Sequence, residues 1–466
     1  GHDRCMKLRV LLQPPGAPRS DGKAHWAPGG ERAAAMAEAS RQTGPGAAAA
    51  MLQLWALFFG IALLLAGNGL QGTLLGVVAE DTGFAGAVTG LVMTSYYAGF
   101  LLGSASAERF IARVGHVRTF AALASLSSIA ILIHGLYVEP LTWAGMRFLT
   151  GFSFAGLYVV AESWLNRASD NAFRGTLLAV YMIVTHAGLA FGQAMLNLAP
   201  TGGLVLYVVS SIVISAALIP ILLSSAPQPH VTLEIERLTL RKLVRISPLG
   251  VAGCFAAGLA NGIILGMSAV YARRVGLDIG GVSLFIAAIM VGGAVFQWPV
   301  GALSDRFDRR YVLAGVAGAV AVTAGGLVLA APAGAIALSA VGFVAGGLAL
   351  TLYPLSLAHT NDWLEPDDVT AASSALVMVQ GAGAILGPMG TGFLLDAIGS
   401  GGFAVYLGLT GAVLLGFAIW RIGRRDAPDS TESYLPAPAT MAVGEYWAEA
   451  AVEAADDSPD PAPGPT

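Results

Sequence analysis

The sequence is poor in charged residues and in cysteine. Only 12% of its 466 residues are Asp, Glu, Lys or Arg, against about 25% in soluble globular domains, so a soluble domain is a poor fit. Cys5 and Cys254 lie far apart, and Cys254 lies within an apolar run, so the sequence does not indicate a disulfide framework. The chain has instead 55% hydrophobic residues, 60 glycines and a mean hydropathy of +0.69. This composition predicts an all-α polytopic membrane protein whose helices pack closely through small residues.

Motifs that mark enzymes are missing as well. The sequence contains no phosphate-binding loop, which argues against an ATP-driven pump. It also contains no group of His and Cys at the spacing of a metal site and no nucleophile elbow. We therefore predict a protein that is not an enzyme and that binds no cofactor, no metal and no nucleic acid.

Twelve apolar stretches are long enough to cross a membrane. A spanning helix needs about 20 mainly apolar residues, and these stretches lack the alternation of membrane-barrel strands. They lie at residues 52–77, 86–108, 117–137, 142–165, 174–198, 203–224, 249–271, 282–303, 311–331, 334–359, 370–395 and 402–421.

Three further segments are polar. The segment 225–248 separates six spans from the other six, and it is predicted to be a cytoplasmic linker. Its middle either lies on the membrane as an amphipathic helix or is solvated. Residues 1–50 are rich in Ala, Gly and Pro, and residues 426–466 hold nine acids and no Lys or Arg, so both are predicted to be disordered. Two six-helix bundles, 51–224 and 249–425, remain.

The basic residues predict the orientation. Cytoplasmic loops of membrane proteins carry an excess of Lys and Arg. With both termini in the cytoplasm, the inside connections hold fifteen such residues and the outside loops hold only Arg273 and Arg274. The fifteen are Arg109, Arg113, Arg118, Arg167, Arg174, Arg237, Arg241, Lys242, Arg245, Arg306, Arg309, Arg310, Arg421, Arg424 and Arg425.

The two halves of the chain repeat each other. "LY" at 157–158 recurs at 352–353, which is 195 residues on, and "NG" at 68–69 recurs at 261–262, which is 193 residues on. Gly188 and Gly192 of the fifth span recur in the eleventh as Gly383 and Gly387, each 195 residues on. Agreement across several pairs of spans predicts an internal duplication.

Two motifs carry a resemblance to a known family. "GALSDRFDRR" at 301–310 resembles the signature loop G-x-L-x-D-R-x-x-R-R of the major facilitator transporters. "RFLTGFSFAG" at 147–156 resembles their fourth-helix motif, an Arg followed four residues later by Gly, and the longer segment 147–166 is similar to the YcaD-like branch. The resemblance implies the major facilitator fold, with twelve transmembrane helices in two six-helix pseudo-repeats around a cavity. It also implies a transporter of the bacterial inner membrane.

Arg147 and Glu162 are ionisable residues in the apolar fourth span. A charged group in mid-bilayer costs at least about 2.5 kcal/mol unless it is paired or hydrated. Arg147 either extends to the outer headgroups or is a cavity cation that binds an anionic substrate group or assists proton coupling, as the motif implies. Glu162, near the cytoplasmic end, is either a latch that pairs with Arg109, Arg113 or Arg118 in the outward-open state, or a protonatable coupling residue.

The two signature loops are predicted to form gates. Glu108 lies in the first loop, and Asp305, Arg306, Arg309 and Arg310 lie in the second. We expect the acid of each loop to face a helix N-terminus of the other bundle, where negative charge is favoured. Such contacts break and form again as the halves rock.

Polar residues at mid-depth are predicted to line the cavity. Asn68 and Gln71 share a helix face, with Asn261 as their counterpart in the second half. His186 and Gln193 share a face of the fifth span, and a histidine side chain ordinarily titrates near neutrality. Gln297, Tyr353 and Gln380 complete the set. A hydrogen bond between helices is the alternative role for each of them.

Together these features predict a monomeric secondary transporter in a lipid bilayer. It moves a small organic solute, anionic or aromatic in view of Arg147 and the tyrosines, by alternating access with protons as the coupling ion. One alternative is an efflux antiporter for toxic compounds. "GAILGPMGTG" at 383–392 resembles the antiporter motif, but the fifth span has Gln193 where that motif has proline. The other alternative is a non-transporting sensor that signals through its tails.

Overall fold

The computed structural model describes residues 47–168, 174–223 and 239–424. In these ranges the backbone is helical and is joined by short turns. The predicted disordered tail lies outside the described residues. So does the N-terminal extension, except that residues 47–50 begin the first helix, and so does the linker up to residue 238.

Fourteen helices follow one another in the described ranges. They are α1 (Ala47–Asp81), α2 (Gly86–Val114), α3 (His116–Leu136), α4 (Pro140–Ala168), α5 (Arg174–Met195), α6 (Val205–Ala216), α7 (Leu218–Leu223), α8 (Leu240–Ile246), α9 (Pro248–Arg274), α10 (Ile279–Arg306), α11 (Arg309–Ala330), α12 (Ala335–Asn361), α13 (Pro366–Ile398) and α14 (Gly401–Ile422). The short linker helix α8 buries Leu243.

Eleven segments of the described chain are long and apolar enough to cross a membrane. They correspond to eleven of the twelve predicted spans, and α6 with α7 forms one of them, Val205–Leu223. The remaining predicted span, at 174–198, is α5, a 22-residue helix that is not among the eleven. The all-α membrane fold is confirmed, while the count of twelve spans stays a prediction.

The helices of the two halves pack in the same pattern. In the first half, α1 packs on α5 and α6, α3 packs on α4 and α6, and α2 packs on α4. In the second half, α9 packs on α13 and α14, α11 packs on α12 and α14, and α10 packs on α12. Each of these contacts in one half has its counterpart in the other, as expected for a duplicated bundle.

The repeat extends to single backbone contacts. A Cβ atom at Gly192 of α5 would lie 2.3 Å from the carbonyl oxygen of Ala66 in α1. A Cβ atom at Gly387 of α13 would lie 2.6 Å from the carbonyl oxygen of Leu259 in α9. These pairs occupy equivalent positions in the two halves, so glycine sets the same close helix approach twice.

The halves meet mainly along three pairs of helices. α1 packs on α9, and α2 packs on α13 as α5 packs on α10. One end of the bundle is named the Asp396 end, and it is the end at which α2 begins and α13 terminates. The opposite end, where α10 ends and α11 begins, is the Arg309 end.

Candidate functional site

A cavity of about 110 Å³ lies between the two halves. The described residues that line it come from α1, α2, α4 and α5 in one half and from α9 and α10 in the other. They include three amides, three tyrosines, one cation and a set of apolar side chains. Those with polar groups are Asn68, Thr73, Tyr96, Tyr97, Arg147, Tyr158, Gln193, Asn261 and Ser268.

Arg147 is the charged group of this lining. It is 5% exposed, and its guanidinium carbon lies 4.4 Å from the centre of the Tyr96 ring, within the range of a cation–π interaction. Tyr96 in turn meets Tyr97 edge-on, with ring centres 5.4 Å apart. The aromatic pair therefore holds the guanidinium at the cavity wall, and of the two predicted placements the structure shows the cavity one.

The contact between α2 and α4 sets the position of Arg147. One turn beyond Arg147, a Cβ atom at Gly151 would lie 1.9 Å from the carbonyl oxygen of Tyr96. A Cβ atom at Gly99 would likewise lie 1.9 Å from the carbonyl oxygen of Phe148. Because both glycines lack a side chain, the two backbones touch and the Tyr96 ring reaches the guanidinium.

Gly151→Ala is expected to separate α2 from α4 and to destabilise the protein by about 1–3 kcal/mol, the usual cost of overpacking. Thermal unfolding of the purified protein in detergent measures the effect. Gly145→Ala on the same helix is the matched control, since a Cβ atom built there would have no described atom of another helix within 4 Å. Equal melting temperatures for the two variants would contradict this account of the α2–α4 contact.

The three amides of the cavity are held in different ways. Asn68 lines the cavity from the first half, as does Tyr96. Gln193 accepts a hydrogen bond from Thr73 and donates to the carbonyl oxygen of Gly69 at 3.2 Å. Asn261 lines the cavity from the second half. The structure therefore brings Asn68, Gln193 and Asn261 together with Arg147 at one cavity, while their role in substrate binding or coupling stays a prediction.

Five other predicted cavity residues are not among the described lining residues. Gln71 donates to the Thr150 hydroxyl at 3.4 Å, and His186 is bonded through Nδ1 to the carbonyl oxygen of Met182 at 2.8 Å. Gln297, Tyr353 and Gln380 are buried elsewhere in the bundle. For Gln71 the geometry is that of the alternative role, a hydrogen bond between helices, whereas the hydrogen bond of His186 lies within α5.

Glu162 lies near the end of α4 in a polar pair. It is 4% exposed, and it accepts a hydrogen bond of 3.1 Å from the Tyr181 hydroxyl of α5. Arg109, Arg113 and Arg118 are exposed at that end of the bundle. In this conformation Glu162 is thus buried against α5, and the latch with the basic loop stays a prediction for the other conformation.

Arg309 ties three helices of the second half together. It is 1% exposed and donates to the Ser304 hydroxyl and to the carbonyl oxygen of Ala358, each at 3.1 Å. It also binds the buried carboxylate of Asp362 and lies 3.4 Å from that of Asp305. These contacts stay within one half, so Arg309 joins the ends of α10, α11 and α12.

The other charged residues of the signature loops are less buried or locally paired. Arg310 binds Asp308, which also caps α11. Partial burial acts to raise the pKa of the Asp308 carboxyl, but hydrogen bonds from Arg310 outweigh it and hold that pKa below its usual value. Arg306 is exposed and Glu108 is half-buried. The gating role of these residues stays a prediction.

Asp396 makes a contact between the halves that the sequence did not predict. Its carboxylate accepts hydrogen bonds from the backbone amides of Gly86 and Ala87, at 2.7 and 2.8 Å. An acid of α13 thus caps the N-terminus of α2, where the helix dipole favours negative charge. We expected Glu108 and Asp305 to make such a contact at the opposite end.

Two ion pairs join the halves at the same end. Arg274 binds Glu80 through two hydrogen bonds of 2.9 Å, and Arg273 binds Asp81 through two of 2.6 and 2.9 Å. Arg274 also donates to the carbonyl oxygen of Leu395 at 3.1 Å. The repeat offset of 193 residues makes Glu80 and Asp81 equivalent to Arg273 and Arg274. Opposite charges at equivalent positions of α1 and α9 are a signal from which this contact could have been predicted.

Comparisons with known proteins agree with this architecture. The family model of the Major Facilitator Superfamily matches residues 57–351 and 251–451. An uncharacterized MFS-type transporter of Enterobacter sp. strain 638 is 30% identical over 312 residues, which cover 66% of this chain and 79% of that protein. The uncharacterized MFS-type transporter YcaD of Escherichia fergusonii is 28% identical over 308 residues, with the same coverage.

A solved structure shows the same fold. The crystal structure of the nucleoside transporter NupG superposes with a TM-score of 0.65 at 14% sequence identity, covering 80% of this chain and 100% of that one. Fold and cavity together define a multi-pass membrane transporter built from two helical halves. The chain belongs to the Major Facilitator Superfamily, and it is of the YcaD-like kind.

Proposed function

We propose that the chain moves a small organic solute across the bacterial inner membrane by alternating access, with the solute in the cavity between the halves. The observation that carries this proposal is the cavity itself, to which both halves contribute and in which Arg147 is buried. A site between two pseudo-symmetric bundles is presented to each face in turn when the bundles rock about it.

The basic residues support a cytoplasmic Arg309 end and cytoplasmic termini. In that orientation, the contacts at the Asp396 end close the cavity toward the outside, and the solute exchanges with the cytoplasm. Opening outward then requires that both arginines leave their acids and that Asp396 leaves the N-terminus of α2. The two ion pairs are 20–33% exposed, so water can replace their contacts at modest cost.

Labelling of the cavity from each face of the membrane tests this proposal, and it does not require that the solute be known. Ser268 lines the cavity and is 2% exposed, so Ser268→Cys places a thiol there. In a Cys5→Ser background, a small membrane-impermeant methanethiosulfonate is applied to vesicles of each orientation. We expect the thiol to react from both faces.

The buried native Cys254 is the internal control, because it is not among the described residues of the cavity lining and should not react from either face. Reaction of Ser268→Cys from one face alone would contradict alternating access and favour a non-transporting sensor. Deletion of residues 426–466 separates the two classes further, since a transporter keeps its two-sided access without that tail.

We propose Glu162 as the proton-coupling residue, because it is a buried carboxylate with the Tyr181 hydroxyl as its hydrogen-bond donor. The ratio of labelling from the two faces is expected to depend on pH, because a coupling carboxyl changes its charge when it takes up a proton. Glu162→Gln keeps the shape but cannot ionise, so its ratio should be independent of pH. Taking the ratio cancels the intrinsic pH dependence of the thiol. An unchanged pH profile in Glu162→Gln would exclude Glu162 from coupling.

Export of toxic compounds and uptake of a nutrient use the same cavity and the same alternation. The direction of net transport follows from whether solute and proton move together or in opposite directions. The direction of solute flux in proteoliposomes with an imposed pH gradient distinguishes export from uptake.

A further inference from the structure

The lining of the cavity carries an unbalanced positive charge. Among the described lining residues, Arg147 is the one charged side chain. Glu162, the acid of the same helix, is hydrogen-bonded to Tyr181 and is not among the described lining residues. A buried cation is costly unless an anion or hydrogen-bond acceptors compensate it.

The guanidinium is also incompletely hydrogen-bonded. Its Nε atom is buried and has no hydrogen-bond partner among the described residues. The Tyr96 ring covers a face of the guanidinium at 4.4 Å, and a contact on that face does not use the N–H donors, which lie in the guanidinium plane along the edge that carries Nε. That edge matches the two oxygens of a carboxylate, which guanidinium binds in a bidentate manner.

The rest of the lining describes the body of the ligand. Phe100, Leu189, Ile264, Ile286 and Met290 supply apolar walls, and such walls favour an apolar or aromatic group of the ligand. The cavity volume of about 110 Å³ limits that group to a small one. The three amides of the lining, Asn68, Gln193 and Asn261, provide polar contacts for a ligand without adding charge.

From these observations we infer that the solute is a small monocarboxylate with an apolar body, whose carboxylate pairs with Arg147 and whose body lies against the apolar wall. This inference rests on the proposed function. One negative charge neutralises Arg147, whereas a dicarboxylate would leave a net charge buried and an organic cation would be repelled.

Isosteric pairs of acid and amide test the inference. Protection of Ser268→Cys from methanethiosulfonate is measured in the full-length protein with benzoate, benzamide, hexanoate and hexanamide. We expect at least one acid to protect about tenfold better than its amide, since hydrogen bonds to charged groups are the strong ones. Benzylamine and phthalate should protect weakly.

Variants at Arg147 add a second comparison. Arg147→Gln should abolish the preference for acid over amide, and Arg147→Lys should retain part of it. The comparison within the parent protein stands even if an Arg147 variant does not fold. Equal protection by acid and amide, protection by none of the four probes, or a preference that survives Arg147→Gln would overturn the inference.

The outcomes separate the inference from the function on which it rests. If Ser268→Cys is labelled from both faces but acids protect no better than amides, the proposed transport is supported and the monocarboxylate inference is wrong. If acids protect better than amides but labelling occurs from a single face, the cavity binds acids and the proposed transport is wrong.

Discussion

Arg274→Glu is expected to raise the labelling rate of Ser268→Cys from the Asp396 face by about tenfold or more. The substitution places a carboxylate where Arg274 now makes two 2.9 Å hydrogen bonds to Glu80 and lies 3.8 Å from Asp396. Like charges at such distances repel by up to several kcal/mol, and about 1.4 kcal/mol is sufficient for a tenfold shift. Labelling from the Arg309 face should fall in parallel.

The double variant Glu80→Arg with Arg274→Glu is the control for this prediction. It restores an ion pair across the same interface with the charges exchanged, so the labelling rates should return toward those of the parent protein. If Arg274→Glu did not change the labelling rates, or if the double variant did not restore them, the Glu80–Arg274 pair would not be what holds this end closed.

Asp362→Asn is expected to destabilise the protein by about 3–5 kcal/mol, the cost of leaving a buried charge without its partner. Arg309 and Asp362 are each 1% exposed as side chains. Without the carboxylate, Arg309 keeps two neutral acceptors and the more distant, 43% exposed carboxylate of Asp305. Thermal unfolding in detergent should therefore show a melting temperature lower by several degrees.

Asp305→Asn is the matched control, because exposed ion pairs contribute about 0–1 kcal/mol. Its melting temperature should stay close to that of the parent protein. If Asp305→Asn destabilised the protein as much as Asp362→Asn, the anchoring role of the buried pair would be wrong.

Local patterns in the sequence predicted much of the fold. The long apolar runs showed the membrane class, the recurrence of "LY" and "NG" showed the duplication, and the two motifs showed the family. Arg147 and three of the cavity amides were recognisable because polar groups are costly inside a bilayer. These signals depend on single segments and on comparison of the halves.

The contacts between distant segments were not predictable in the same way. Arg309 reads as a gating residue by its motif, yet Asp362, 53 residues further on, fixes it within one half. The Tyr96–Arg147 contact depends on the approach of two helices at Gly151. Asp396 reads as a helix end, and its contact with Gly86 spans 310 residues.

Distances measured by spin labels at both ends of the bundle test alternating access most directly. One pair, Leu141→Cys with Ile336→Cys, reports on exposed positions of the two halves at the Asp396 end. A second pair, Val114→Cys with Phe307→Cys, reports on the Arg309 end. All four positions are exposed, and Cys5→Ser with Cys254→Ser removes the native thiols.

Introducing Arg274→Glu should lengthen the distance of the first pair and shorten that of the second in the same sample. That opposite change is the result expected if the halves rock about the cavity. Distances that change in the same direction, or at one end alone, would contradict alternating access in this protein.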